Sequence, residues 1–497
     1  MKNQTLILFF IFLLKSSFCI AQSDKIVADN YLKADKILQN AITKLGGKEK
    51  LNTPLSFNWE GTKYFFGHYA TPEKTIPAAD TEKIRIFPNL GISYLSSSLN
   101  YYGNRNAIIM NYGDTTHYSG YFSSDFSKGK LEERNQLNMS VPIQMLRIAN
   151  KYKQTLYFVG ETATQSIIGF NDDMGSKFNL IFDKKTNRLE RVTQLTYHSI
   201  YGDSFDEVVY EYANATTTDP SKFIRREHGL LESEFIYKDF KTDVKVDTDF
   251  VQYVCPTCKI ESIDKGTAPT IENIGKNLWL VSINSLDNKV LVAEYATYLV
   301  LFEAPKDAQT CREVISVTQK QFPNKPIKYV ALSHHHPDHA GGFTAFVNQN
   351  TQVITTKGNI AFFEKLLKTT HTLKPDNATT NVKLSALTIA AKDSLNLKDK
   401  DNQVVIYEAG ENTDHVEEFL FFYFPIQKIL FVGDLVSFPQ KGIADQRKRA
   451  YSVYKLIEDK KLAVEKIYVS WPLKGQKPYG TMEDLKASLI KNYPDLR

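Results

Sequence analysis

The texture of the chain changes near Thr267, and this change limits the possible folds more than any other feature. From about residue 55 to 252, short aromatic and β-branched runs alternate with turns: "SFNWEGTKYFF", "EKIRIF", "NAIIMNY", "TLYFVGE". Such side chains suit a pleated, half-buried surface, so this half predicts one curved, mainly antiparallel sheet. "KFNLIFDKKTNRLERVTQLTY" predicts a hairpin about Lys185-Thr186-Asn187, and "DEVVYEY" a further strand. Ahead of the sheet, Tyr31, Ala34, Leu38, Ala41 and Leu45 fall at helical spacing, and Gly46-Gly47 ends that run.

After Thr267 strands and helices mix closely. "NLWLVSI" and "KVLVAEYATYLVLFEAP", the latter bent at "YAT", read as strands, followed by the helix "DAQTCREVISVTQKQF" and the apolar strand "IKYVALS". Helices are expected at "GGFTAFVNQ", "NIAFFEKLLKTT" and "RAYSVYKLIEDK", and strands at "TQVITT", "QVVIYEAG", "EEFLFFYF", "KILFVGD" and "KIYVSWP". Close alternation of this kind marks a layered α/β domain. At 497 residues the chain has length for two domains, each with its own core. The expected division is a β-rich accessory domain over 22–254, a linker over 255–268, and the α/β domain over 269–497.

The first segment, "MKNQTLILFFIFLLKSSFCIAQSD", has a basic start, an apolar run from Leu6 to Leu14, and small residues ahead of Gln22. That pattern predicts a secretory signal peptide over 1–21, cut after Ala21, and an exported protein, periplasmic or secreted. The run is short for a membrane span of about 20 residues, and no other stretch is long enough, so stable insertion is not expected. The net charge of +5 falls by two when Lys2 and Lys15 leave with the signal, and the remaining basic residues form no stripe. A nucleic-acid partner is therefore not expected. In an oxidising compartment "CPTC" (Cys255, Cys258) reads as a structural disulfide, with a redox pair or half a zinc site as alternatives. Cys311, inside a helix, reads as a buried thiol.

One loop concentrates chemistry. "HHHPDH", residues 334–339, holds four of the ten histidines and follows directly on "YVALS", so a rigid strand supports it. His334 and His336, two apart on an extended strand end, can point the same way. Pro337 then turns the chain, so that Asp338 and His339 face a second position, and Gly341-Gly342 let backbone pass close by. Imidazole and carboxylate groups converging from several segments are what zinc and similar ions require. Two downstream residues suit that role: His415, in a turn between strands, and Asp434, at the end of an apolar strand. Alone, the first is commonly structural and the second commonly a helix cap. The first half has no such cluster and reads as a scaffold or ligand-holding module.

The loop resembles the HxHxDH signature of the metallo-β-lactamase superfamily, and the resemblance covers roughly residues 270 to 497. "EAP…PIKYVALSHHHPDHAGG" is similar to exported members with a β-rich N-terminal domain. The resemblance implies an αββα sandwich and a metal-dependent hydrolase. His334, His336 and His415 would hold one metal; Asp338 and His339 would hold another; Asp434 would bridge the two. It also implies zinc, as one or two ions, with manganese or iron as alternatives, and a small-molecule substrate such as an ester, lactone or thioester. A cation there lowers the pKa of water to about 7; with two metals a bridging hydroxide would attack, and with only the first site filled Asp338 would instead orient the water and take its proton.

The chain departs from the family pattern in two places. Members commonly carry one more histidine near the last strand, but no histidine follows His415, and Ser470 or Trp471 stands there. The second site is then weak, absent or completed by water. Glu303 stands where many members have Asp, and its expected role is a hydrogen bond that orients the histidine loop. His335 is expected to face away from the metals, and His371 and Lys474 to lie at the surface. The competing reading is a metal- or ligand-binding protein without turnover.

Overall fold

The computed structural model describes residues 25–496, apart from 89–91, 101–103, 113–114, 120–126, 129–130, 174, 243, 246–267 and 380–382. The segment 1–21, expected to be a signal peptide, and Cys255 and Cys258 lie outside the described residues. The chain divides into two compact units: residues up to 64 with 77–196 and 204–263 form one, and residues 65–76, 197–203 and 264–497 form the other. The second unit therefore takes two short segments from the first half of the chain, in addition to the contiguous stretch marked by the change of rhythm.

The first unit is built on a thirteen-stranded sheet. Its seam joins the first strand, Leu55–Phe65, antiparallel to the last, Leu230–Thr242, and sequence neighbours pair outward on both sides. The expected hairpin is present: Lys177–Asp183 pairs with Leu189–His198 through a turn in which Asn187 has a φ of 57°. A helix over 25–45 lays Ala34, Leu38, Ala41 and Ile42 into a core shared with Phe57, Trp59, Phe170, Phe223 and Phe235. The helix Pro142–Lys151 adds Ile143, Met145, Leu146 and Ala149 to the same core. Fully burying a large apolar side chain contributes about 1.5–3 kcal/mol, so this mixed aromatic and aliphatic core is a main source of the unit's stability.

The second unit is an αββα sandwich. A seven-stranded sheet runs in chain order from Thr270–Gly275 to Ala386–Ile389, antiparallel through its first four strands and parallel from Leu299–Phe302 onward. A five-stranded sheet runs in order from Ser394–Lys398 to Lys466–Tyr468, with a parallel pair at its end. Alternation along the strands makes the layers. In Asn288–Glu294, Leu291 and Ala293 point to the core between the sheets, where they meet Leu420, Phe422 and Phe431. Val290 and Val292 point outward to the helix Ala308–Gln321, whose Cys311, Val314 and Ile315 cover that face. The other outer face is covered by the helices Lys448–Asp459 and Met482–Leu489. Strands buried on both sides carry continuous apolar runs, which is why "LVLF" and "LFFYF" were legible. The strands Ala386–Ile389 and Ser394–Lys398 lack such runs, because each lies at the edge of its sheet and is half exposed.

Candidate metal centre

The strand Ile327–Ala331 ends three residues before His334, and the Leu332 N–H still donates to Ile354 across the sheet. The following residues leave the ladder with their side chains at the strand ends. Pro337 opens a single helical turn, Pro337–Ala340, which carries Asp338 and His339 round to the same side. The turn packs backbone to backbone on the 304–307 segment: Ala304 N–H donates to His339 O at 2.7 Å, and Gly342 N–H to Ala304 O at 2.8 Å. Gly341 is required by that approach, since a Cβ there would sit 2.2 Å from Lys306 O. Gly433 is required for a similar reason before Asp434. Its φ is 58°, and a Cβ would press on the Phe419 ring at 2.9 Å and Ser333 Oγ at 3.2 Å.

The structure gathers five of the six sequence-predicted site residues into two donor groups and sets Asp338 beside them. Ring nitrogens of His334, His336 and His415 lie within 4.8 Å of one another, and donor atoms of His334, His339 and Asp434 form a second such group. His334 Nε2 faces His415 Nε2 at 3.1 Å. Asp434 turns one oxygen to His415 Nε2 at 3.1 Å and the other to His339 Nε2 at 3.7 Å. Asp338 approaches His339 Nε2 at 3.3 Å but belongs to neither group, and its side chain is 40% exposed. His335 also stays out of both groups, as expected, and its ring is buried against Phe362.

Second contacts set the tautomers. The His336 Nε2–H donates to the Tyr69 carbonyl at 3.0 Å, so Nδ1 is the nitrogen left for a metal. His339 Nδ1 lies 3.2 Å from both Glu303 Oε1 and Ser470 Oγ, which leaves Nε2 facing the carboxylates. Glu303 is fully buried, with a φ of 83°, and its other oxygen accepts from Ser333 N–H at 3.2 Å. It ties the start of the histidine loop to its end, the orienting contact expected of it.

Charge follows from this packing. Burial, reinforced by the surrounding imidazoles, holds His334 well below the usual histidine range and His335 down at about 3, so both rings are neutral. At His339 burial opposes charge, but Asp338, Glu303 and Asp434 outweigh it and raise the group well above its usual value. Burial works against ionisation of Asp434 too, yet His415 and His339 hold it well below the carboxylate range.

A cation fits this arrangement. Buried His339 Nε2 and Asp434 Oδ1 have no hydrogen-bond partner, and such orphans carry a cost unless something satisfies them. Two lone-pair nitrogens 3.1 Å apart repel unless a proton or a metal sits against them. Ligands at about 2.0–2.1 Å on a tetrahedral zinc stand roughly 3.3 Å from one another, and the donor pairs here span 3.1 to 3.7 Å.

Residues 303–490 match the family model described as "Metallo-beta-lactamase superfamily". This segment is a metallo-beta-lactamase superfamily domain. Among solved structures, the metallo-beta-lactamase FIM-1 from Pseudomonas aeruginosa, in its mono-zinc form, is similar at 16% identity; the match covers 47% of this chain and 99% of that one, with a TM-score of 0.35. A metallo-beta-lactamase from Pontibacter korlensis is similar at 18% identity, over 45% and 99% of the two chains, with a TM-score of 0.33. No curated protein matches.

At the end of the last strand of the metallo-beta-lactamase domain, Ser470 is fully buried and meets His339 at Nδ1, on the side away from the other donors. Trp471 beside it is 44% exposed. His371, expected at the surface, is instead buried: Tyr197 Oη lies 2.9 Å from its Nδ1 and Thr369 Oγ1 2.9 Å from its Nε2. Tyr197 lies 174 residues away in sequence, so no local signal marks that pocket. Lys474 is exposed as expected.

His68 is the residue that sequence reading passed over. It lies in "FFGHYATPEK", in the half read as free of chemistry, and its Nε2 stands 3.5 Å from Asp338 Oδ1. A lone histidine in a turn gives no spacing to recognise. Next to Asp338 the second unit also has a cleft of about 360 Å³, walled by Phe66, Ile200, Tyr201, Leu286, Pro305 and Trp471.

Proposed function

We propose that the protein is a metal-dependent hydrolase acting on an ester, lactone or thioester of a small molecule that carries an apolar portion. The best support is the convergence of the His334, His336 and His415 ring nitrogens within 4.8 Å at the strand ends, beside the buried pair His339 and Asp434. A divalent ion held there, zinc or else manganese or iron, supplies acidified water near neutral pH and polarises the scissile oxygen.

The chain's own groups divide the remaining work. His334, His415 and the Nδ1 of His336 hold the first ion, and Asp434 faces both positions. Partial burial works against ionisation of Asp338, yet His339 and His68 hold it well below the usual carboxylate range. With only the first position filled, Asp338, its side chain 40% exposed, orients the attacking water and accepts its proton. The apolar walls of the cleft hold the non-reacting part of the substrate and keep bulk water away from the carbonyl, as in a typical ligand pocket of ~300–1,000 Å³. The basic start, apolar run and small residues of segment 1–21 support export of this chemistry from the cytoplasm, with a mature chain beginning at Gln22.

Metal content per chain on gently purified protein, beside His336→Ala, tests the reading together with a panel of acyl esters, lactones and thioesters. One or two ions, lost in the variant along with hydrolysis, is the expected result. No metal after soaking in zinc or manganese would turn the reading to a ligand-binding protein without turnover.

A further inference from the structure

Residues 68–70 are tied to the metal centre at three successive positions. The Tyr69 carbonyl accepts from His336 Nε2 at 3.0 Å, the Ala70 carbonyl accepts from Glu417 N–H at 2.9 Å, and the His68 ring packs on that of His336 with centroids 5.1 Å apart. Tyr69 thus fixes the tautomer of one metal-facing histidine, and Ala70 is anchored two residues from another, His415. The backbone beside His68 is held at both ends of the site, and its imidazole is placed against the His336 ring.

That imidazole points at the incomplete end of the donor set. Around His339 Nε2 stand Asp338 and Asp434, two carboxylates and one nitrogen. Ser470 approaches His339 only at the opposite ring nitrogen. Asp338 Oδ1 has no hydrogen-bond partner, and His68 Nε2 lies 3.5 Å from it. That separation is long for a charge-assisted hydrogen bond of ~2.7–2.9 Å. It is close to the roughly 3.3 Å edge between two ligands of one tetrahedral ion. As a plain ion pair, with side chains 52% and 40% exposed, it would be worth little.

We infer that His68 is the fourth protein ligand of a second metal position, with Asp338, His339 and Asp434. This rests on the metal-binding reading of the site. The second position then draws a ligand from residues 65–76 and lies on the open side of the cluster, where a divalent ion of the zinc class can enter and leave past a half-exposed ring.

Cobalt(II) loading tests the assignment without recourse to activity. The protein, His68→Ala and His68→Cys are loaded with cobalt(II), dialysed, and read by metal content and visible absorption; a urea midpoint of each metal-free chain checks the fold. The expected result is two ions in the wild type and one in His68→Ala, with unchanged midpoints. His68→Cys should hold two ions and gain a thiolate-to-cobalt band absent from the wild type, since a thiolate at residue 68 would enter the coordination sphere. Two ions retained in His68→Ala would overturn the inference and leave the metal reading standing. One ion in the wild type with no thiolate band in His68→Cys would do the same. No ion in the wild type would overturn both.

Discussion

Replacing Glu303 by Gln isolates the contact on which the histidine loop depends. The carboxylate is fully buried and accepts two hydrogen bonds at 3.2 Å, from Ser333 N–H and from His339 Nδ1–H. The amide has one acceptor and one donor end. If its oxygen keeps Ser333, its NH2 group faces His339 Nδ1 and forces the ring proton onto Nε2, the nitrogen a metal needs. If it turns the other way, Ser333 N–H is left buried without a partner, at a cost of about 1–3 kcal/mol. Loss of such an outer carboxylate lowers metal affinity by roughly 10- to 100-fold. Ser470 Oγ, also 3.2 Å from Nδ1, can take over as acceptor, which puts Glu303→Gln near the tenfold end and Glu303→Gln with Ser470→Ala near the hundredfold end. Competition for zinc against a chromophoric chelator measures this, with thermal unfolding of the metal-free chains alongside. Affinity within twofold of wild type in the double variant would refute the claim that Glu303 sets the His339 tautomer.

Asp338→Asn should lower kcat by about 100- to 10,000-fold, the usual contribution of a positioned base, while the ion held by His334, His336 and His415 stays bound; a steady-state assay beside metal analysis checks both. Gly341→Ala sets a methyl 2.2 Å from Lys306 O and 2.6 Å from Pro337 O, both backbone atoms that cannot swing aside. It should destabilise the second unit by at least about 1–3 kcal/mol, read as a fall in the urea midpoint. Burial pushes the Glu82 carboxyl up to about 7 against the pull of Lys63 beside it. The folded state therefore binds that proton more tightly than the unfolded chain, and stability present below the ordinary value of about 4.5 is lost as pH rises through 7. Glu82→Gln should raise the urea midpoint of the first unit at pH 8 and change it little at pH 5.

The layers of the second unit were legible because burial on both faces leaves continuous apolar runs, and the site was legible because metal ligation demands particular side chains at particular offsets. His334, His336, Asp338 and His339 share one loop, and His415 and Asp434 follow strands that could be recognised independently. What stayed hidden depends on contacts between residues far apart in sequence. His336 meets Tyr69 across 267 positions, and His371 meets Tyr197 across 174. Neither partner carries a pattern of its own. The segments 65–76 and 197–203 sit among runs with the β-rich texture of the first half, so composition assigns them there, although their contacts belong to the second unit. The edge strand Ser394–Lys398 went unread although Leu395 and Leu397 alternate with polar residues and pack on the core, because two apolar positions are too short a period to stand out.

Those two segments also bear on which substrates the site accepts. Phe66, Ile200 and Tyr201 come from them, and with Leu286, Pro305 and Trp471 they make one wall of the cleft apolar where it meets Asp338. A substrate whose acyl or ring portion lies in that cleft gains from apolar burial in the ground state and the transition state alike, so the gain should appear in KM and leave kcat nearly unchanged. Trp471 is the wall residue with most freedom to be removed, since 44% of it is exposed and the core does not depend on it. If an acyl chain covers ~50–100 Å² of the indole, Trp471→Ala forfeits about 1.3–2.5 kcal/mol at 25 cal/mol per Å², or roughly a 10- to 60-fold rise in KM for long acyl chains. An acetyl ester, too short to reach the wall, should keep its KM. A series of esters of increasing chain length, assayed on wild type and Trp471→Ala, separates the cases. If KM shifts equally for acetyl and long-chain esters, or not at all, the acyl portion does not lie in this cleft, and the apolar wall serves the fold alone.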